Sequence, residues 1–136
     1  MDMKNAIEPD EAQLNAFMAL GEGPVSMLNL LRFRKTAAYP DGRDADLSGR
    51  EAYFRYAVPM TKLVLDAGGT LDFTGDVKAL LIGEVEETWD MAAMMTYPSP
   101  KTLAEISLTP EFQDIAVHRK AGLEGQLLIP CRVPTS

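Results

Sequence analysis

Residues 25–33, Val-Ser-Met-Leu-Asn-Leu-Leu-Arg-Phe, alternate like a β-strand but are apolar on both faces. Val25, Met27, Asn29, Leu31 and Phe33 share one face, and Ser26, Leu28, Leu30 and Arg32 share the other. A strand of this kind cannot border water on either side. The segment Trp89–Tyr97 has the same character. The fold must therefore cover both faces of a sheet.

The segments around these strands say what provides that cover. Residues 9–20 predict a short helix, with Pro9 at its first position, Asp10 and Glu11 at its positive end, and Gly21 closing it. Leu14, Phe17 and Met18 form its narrow apolar stripe. Residues 36–48 have no regular pattern, and a loop of that length is mobile or functional. Ser48-Gly-Arg-Glu51 is a capping-box sequence that opens a long helix with Tyr53, Tyr56, Ala57, Met60 and Val64 on one stripe. Pro59 is expected to kink that helix, and Gly68-Gly69 to end it. Residues 70–85 predict a strand bent near Gly75-Asp76, followed by an acidic turn at Glu84, Glu86 and Glu87. Ser99-Pro100 and Thr109-Pro110 start two helices reaching about Leu108 and Leu123, and residues 126–129 predict a last short strand.

The order is βαββαβ after an extra N-terminal helix. It predicts an α+β, ferredoxin-like split βαβ fold with a four-stranded antiparallel sheet. Residues 1–23 read as an N-terminal helical extension and 24–136 as the domain proper. Helices cover one sheet face. A second copy of the chain is the simplest cover for the other, so a homodimer through the sheet faces is expected.

At 136 residues the chain suffices for one domain with a real core. Its net charge of -7, with 13 scattered basic residues, argues against nucleic acid and anionic membrane as partners. Cys131 is the sole cysteine, which excludes an internal disulfide and a cysteine-based zinc site, and suits a reducing cytoplasmic setting. The first residues lack the basic and apolar regions of a signal peptide, and no apolar run approaches the ~18 residues needed to span a bilayer. Phosphate loops, dinucleotide fingerprints, nucleophile elbows and zinc-protease motifs are all absent.

Several short segments, taken together, carry a resemblance: Met27–Phe33, Gly49–Tyr53, Ala67–Gly69, Trp89-Asp90, Tyr97–Ser99 and His118–Glu124. Over roughly residues 24–130 the chain resembles the family known as domain of unknown function 1330, in the dimeric α+β barrel superfamily. The resemblance implies a ferredoxin-like protomer, a homodimer with facing sheets, and a small pocket between sheet and helices. It implies no particular activity, since superfamily relatives include cofactor-free monooxygenases, lactone isomerases, haem enzymes and non-catalytic binders.

The residues that could carry chemistry are few. His118 is the single histidine and a natural proton carrier. A helical phase of about 100° per residue puts it on the flank of the stripe Phe112, Ile115, Ala116 and Leu123, where a half-buried side chain bonded to a carbonyl is the plain alternative. Arg119 falls near the middle of that stripe. An arginine there must snorkel, pair internally, or anchor an acidic ligand. Asn29 on its apolar strand face is either a structural amide or an oxyanion-type donor to substrate. Tyr56 and Trp89 could line a pocket for a flat ligand or be core. Arg32, on the other strand face, is expected to pair with an acidic residue across the dimer.

These residues define two expectations. In the first, Asn29 and His118 are catalytic, and Arg119, Tyr56 and Trp89 bind substrate. The protein then acts on a small, acidic organic compound, with no cofactor and no metal, in the manner of a cofactor-free monooxygenase or isomerase. In the second, the chain is a non-catalytic ligand binder or structural homodimer, with Arg119 paired to a carboxylate such as Glu124 or Asp90. Haem held by His118 is a third possibility.

Overall fold

The computed structural model describes residues 3–134. Eight elements follow in chain order: α1 (Glu11–Met18), β1 (Val25–Phe33), α2 (Gly49–Asp66), β2 (Thr70–Asp76), β3 (Met91–Tyr97), α3 (Pro100–Ser107), α4 (Pro110–Gly122) and β4 (Leu123–Cys131). The strands form one sheet in the order β2-β3-β1-β4, and every pairing is antiparallel. This is the ferredoxin-like α+β fold, with the doubly apolar β1 and β3 at its centre.

Local chemistry starts the helices largely where the caps predict. Ser48 accepts from the Glu51 N–H while the Glu51 side chain accepts from the Ser48 N–H, each at 3.0 Å. Ser99 and Thr109 cap α3 and α4. The first helix is capped by Asp10, reciprocally with Gln13, so Pro9 lies just outside it. Of its stripe, Phe17 packs on the core, while Leu14 and Met18 stay largely exposed.

One face of β1 and β3 meets the helices. Val25, Met27, Met60, Val64, Tyr97 and Ile106 form one buried cluster, and Leu31, Tyr53, Met91 and Leu123 form another. A third cluster, Ala37, Tyr39, Ala52 and Ala121, lies beneath the 36–48 loop. That loop is pinned by Ala37 N–H to the Leu47 carbonyl at 2.8 Å and Ala38 N–H to the Ala121 carbonyl at 2.9 Å. Helices α2 and α4 meet backbone to backbone at Gly49 and Gly122. A Cβ on Gly122 would lie 2.4 Å from the Gly49 oxygen and 2.6 Å from the Tyr53 nitrogen.

Three boundaries differ from expectation. The second strand stops at Asp76, and Leu81 and Ile82 are 96% and 89% exposed in the connection to β3. Their apolar run suggested a strand, but among the described residues no neighbouring strand pairs with them. The third strand begins at Met91, because Asp90 turns back to accept the Phe33 N–H and to give its own N–H to the Leu31 carbonyl, each at 2.8 Å. The last strand is longer than four residues, since β1 supplies a partner from Ser26 to Phe33.

The other sheet face carries Ser26, Leu28 and Leu30 of β1 with their partners Ala92, Met94 and Thr96 of β3 and Leu127 and Ile129 of β4. No element of the protomer is packed in bulk against it. Arg32 on this face pairs within its own chain, with Glu87 and with Glu124 at 3.5 Å.

The N-terminal extension is tied to the sheet at two places. Ala6 bridges Gln126 of β4. Farther on, the Arg132 guanidinium reaches five successive carbonyls: Leu20 at 2.5 Å, Gly21 at 2.9 Å, Glu22 at 3.0 Å, Gly23 at 3.0 Å and Pro24 at 3.1 Å.

Candidate functional site

Asn29 points from the centre of β1 into the layer between sheet and helices. Its amide nitrogen donates to the Met27 carbonyl at 3.1 Å, and its oxygen accepts from the Gln126 amide at 2.8 Å. The Gln126 oxygen in turn accepts from Arg119 Nη2 at 3.0 Å. The same Arg119 nitrogen donates to the Ile7 carbonyl. One line of hydrogen bonds thus joins the strand amide to the helix guanidinium.

The partners of Arg119 decide how that line is read. Both are neutral oxygens, and among the described residues its hydrogen bonds all leave from Nη2. The expected carboxylates are engaged elsewhere: Glu124 faces Arg32 at 3.5 Å, and Asp90 accepts from Phe33 at 2.8 Å. Glu8 also feels the Arg119 charge, but its carboxylate is exposed and held by Lys120. Arg119 is therefore half-buried, with no bonded counter-ion among the described residues, an arrangement that favours an anion.

Two phenols, Tyr53 and Tyr56, lie in the field of this charge, and a third, Tyr97, lies in theirs. Tyr53 and Tyr56 have ring centroids 5.6 Å apart, and Tyr56 meets Phe112 edge-on at 6.1 Å. Burial raises the Tyr53 hydroxyl well above the usual phenol range, with Tyr56 adding to the effect and Arg119 opposing it. Burial raises Tyr56 as well, and Arg119 again opposes it. Tyr97 is raised by burial and by its two tyrosine neighbours. All three stay protonated near neutrality and can donate hydrogen bonds.

Of the five candidate residues, Asn29 and Arg119 share the network, and Tyr56 lies within reach of the Arg119 field. His118 does not join them. It turns toward the 36–48 loop, where its Nδ1 is 2.7 Å from the Tyr39 hydroxyl. Arg55 donates to that hydroxyl at 3.3 Å and to Asp44 at 2.9 Å, and the Arg43 guanidinium covers the Tyr39 ring at 4.7 Å. Trp89 sits at the end of the β2–β3 connection, with a buried Nε1 that has no hydrogen-bond partner among the described residues. Sequence reasoning missed Gln126 and Ile7, whose place in the network depends on contacts distant along the chain. Two surface hollows lie elsewhere. One of about 250 Å³ is bounded by Glu22, Gly23, Pro24, Arg132 and Val133, and one of about 520 Å³ lies between Met18 and Lys101.

The His118 cluster has a consequence in acid. Partial burial lowers the His118 pKa below 6.5, with Arg55 and Arg43 adding to the effect and Asp44 opposing it. The unfolded chain therefore binds a proton at His118 more readily than the folded one. Stability rises with pH between the folded value and 6.5, and is lost as pH falls through that window. Melting temperature should drop between pH 7 and pH 5, and His118→Gln should flatten that part of the curve. Asp44, whose pKa Arg55 holds below 3.8, titrates in a separate and more acidic range.

No group of three or more His, Cys, Asp or Glu is placed to hold a metal among the described residues, and no helix there is long and apolar enough to cross a membrane. Fold and network together define a ferredoxin-like α+β protein with an arginine set between its sheet and its helices. No protein-family model and no functionally curated protein matches the chain. Solved structures do. The RPA0582 protein of unknown function from Rhodopseudomonas palustris is 32% identical, with a TM-score of 0.86 over 98% of this chain and 100% of that one. Its methylated form is 34% identical, with a TM-score of 0.87 over 98% of both chains. The chain belongs to the RPA0582 family. Two distant structures share the fold alone. A dimeric ferredoxin-like protein of unknown function from Bacteroides fragilis is 11% identical, with a TM-score of 0.51 over 82% of this chain and 98% of that one. A protein from Caulobacter crescentus, named as a candidate antibiotic biosynthesis monooxygenase, is 12% identical, with a TM-score of 0.56 over 92% of this chain and 100% of that one.

Proposed function

We propose that the protein binds a small organic acid between its sheet and its helices, as a homodimeric α+β barrel of the domain-of-unknown-function 1330 family. The observation that carries this reading is Arg119, a guanidinium set inward and held, among the described residues, by neutral oxygens. A ligand carboxylate would supply the missing counter-charge through a bidentate pair. Asn29, through Gln126, orients the arginine. Tyr56 offers a protonated phenol beside an apolar wall that includes Phe112. The open apolar sheet face supports pairing of two copies through that face, and the cysteine usage supports a cytoplasmic setting.

Binding is the part of the reading that the geometry favours. A cofactor-free oxidation or isomerisation, as the name of the Caulobacter crescentus relative suggests, would use Arg119 and Asn29 to stabilise negative charge on the bound acid. His118 would then have to move a proton from outside the network, since it is bonded to Tyr39. Trp89 would serve as a more distant wall.

Benzoate and short aliphatic acids test the site by thermal shift. Ligand at about 100 times its Kd stabilises a folded protein by about 2.7 kcal/mol, a rise of several degrees here. Arg119→Met keeps the stem and removes the charge. It should stay folded and lose that rise. No response to any carboxylate in the unsubstituted protein would reject the reading.

A further inference from the structure

Residues 5–8 lie across the network just described. Ala6 makes a single bridge to β4, in which the Gln126 N–H donates to the Ala6 carbonyl at 2.9 Å. The next carbonyl, that of Ile7, accepts from Arg119. The Ile7 side chain packs against the cluster of Leu31, Tyr53, Met91 and Leu123. Glu8 closes the segment with an exposed ion pair to Lys120.

This attachment is slight and carries a flaw. One backbone bridge is far less than a paired strand. The Asn5 side-chain oxygen is buried with no hydrogen-bond partner among the described residues, a cost that detachment removes. The segment packs so closely that a Cβ on Gly125 would lie 2.5 Å from the Asn5 Cβ and 2.8 Å from its Cγ.

We infer that residues 5–8 form a removable strap whose Ile7 carbonyl occupies Arg119 in place of an acidic ligand. The ligand side of this inference rests on the function proposed above; the covering of Arg119 does not. With the strap down, the guanidinium is held by a neutral oxygen weaker than a carboxylate. With the strap raised, Arg119 is free to form a charged pair. Apparent affinity is then the intrinsic affinity reduced by the fraction of molecules that are open.

Gly125→Ala tests this without touching Arg119, Gln126 or Asn29. The new methyl collides with Asn5, so the strap should lift. Two readouts need no ligand: hydrogen exchange at the Gln126 amide, and labelling of Arg119 by phenylglyoxal followed by mass spectrometry. Both should quicken about tenfold or more, as expected when a local opening becomes easy. Asn5→Gly in the Gly125→Ala background removes the collision and should restore both rates. Ile7→Gly loosens the strap from its own side and should reproduce the pair of changes if Gly125→Ala folds poorly. Faster exchange at Gln126 with unchanged labelling of Arg119 would overturn the inference, as would unchanged exchange in both variants. Benzoate separates the two proposals. Tighter binding in Gly125→Ala supports the strap as a gate. Binding that is Arg119-dependent but no tighter rejects the gate. If benzoate binds in neither protein while Arg119 labels faster, the acid-binding reading fails and the covering strap stands.

Discussion

Gly122→Ala should destabilise the domain by about 3 kcal/mol or more, at the upper end of what overpacking costs. Its added methyl has nowhere to go. The nearest atoms are the Gly49 oxygen at 2.4 Å, the Tyr53 nitrogen at 2.6 Å and the Tyr53 Cβ at 2.9 Å, two of which are backbone atoms that cannot rotate away. Relief requires α2 and α4 to separate. That movement would also disturb the Arg34 N–H bond to the Gly122 carbonyl at 2.8 Å and the Gly49 N–H bond to the Arg34 carbonyl at 3.1 Å. Urea unfolding should show a lower midpoint, and the melting temperature should fall by about 10 °C for a chain of this size. Gly42→Ala provides the contrast. Gly42 has φ +78° and open space around it, so alanine there meets backbone strain without a collision. It should cost about 1 kcal/mol.

Leu28→Glu should leave a folded monomer. Leu28 lies near the middle of the open sheet face, paired in register with Met94 on one side and Ile129 on the other. In a dimer closed through that face, each copy would bury an unpaired carboxylate near the other. An uncompensated buried charge costs about 3–5 kcal/mol, which weakens association by about a thousandfold. Within a single protomer the same side chain meets water, so secondary structure should persist. Light scattering after gel filtration should then report one chain, against two for the unsubstituted protein if it forms the homodimer proposed above. A Leu28→Glu protein that keeps the mass of a dimer would place the interface elsewhere.

Much of the fold was legible because its signals are local. Capping residues mark the starts of α2, α3 and α4, and two-faced apolarity marks β1 and β3 as the centre of the sheet. Residues 77–85 misled because a short apolar run such as Ala79–Ile82 looks the same whether or not a neighbouring strand exists. Leu81 and Ile82 have none, and they project outward. The site was legible in part for the same reason. Helical phase separates His118 from Arg119 by about 100°, enough to send one toward Tyr39 and the other toward Gln126. Phase could not reveal that Ile7, 112 positions earlier, would meet Arg119, or that Gln126 would bridge to Asn29 across 97 positions. Such pairings depend on topology, which a pattern read along the chain does not contain.

The five-carbonyl grip of Arg132 bears on the order in which the molecule comes apart. A guanidinium presents five N–H bonds in a rigid fork, and here it spends them on the turn that joins α1 to β1. The turn is thereby fastened to the residue just past the end of β4. Mechanically, the early helix and the late strand form one link: pull on either and the other is loaded. A lysine at this position would offer a single point charge and leave most of those carbonyls to water. The first helix would then keep its Phe17 contact with the core but lose its fixed tie to the end of the chain, although every residue in it is unchanged.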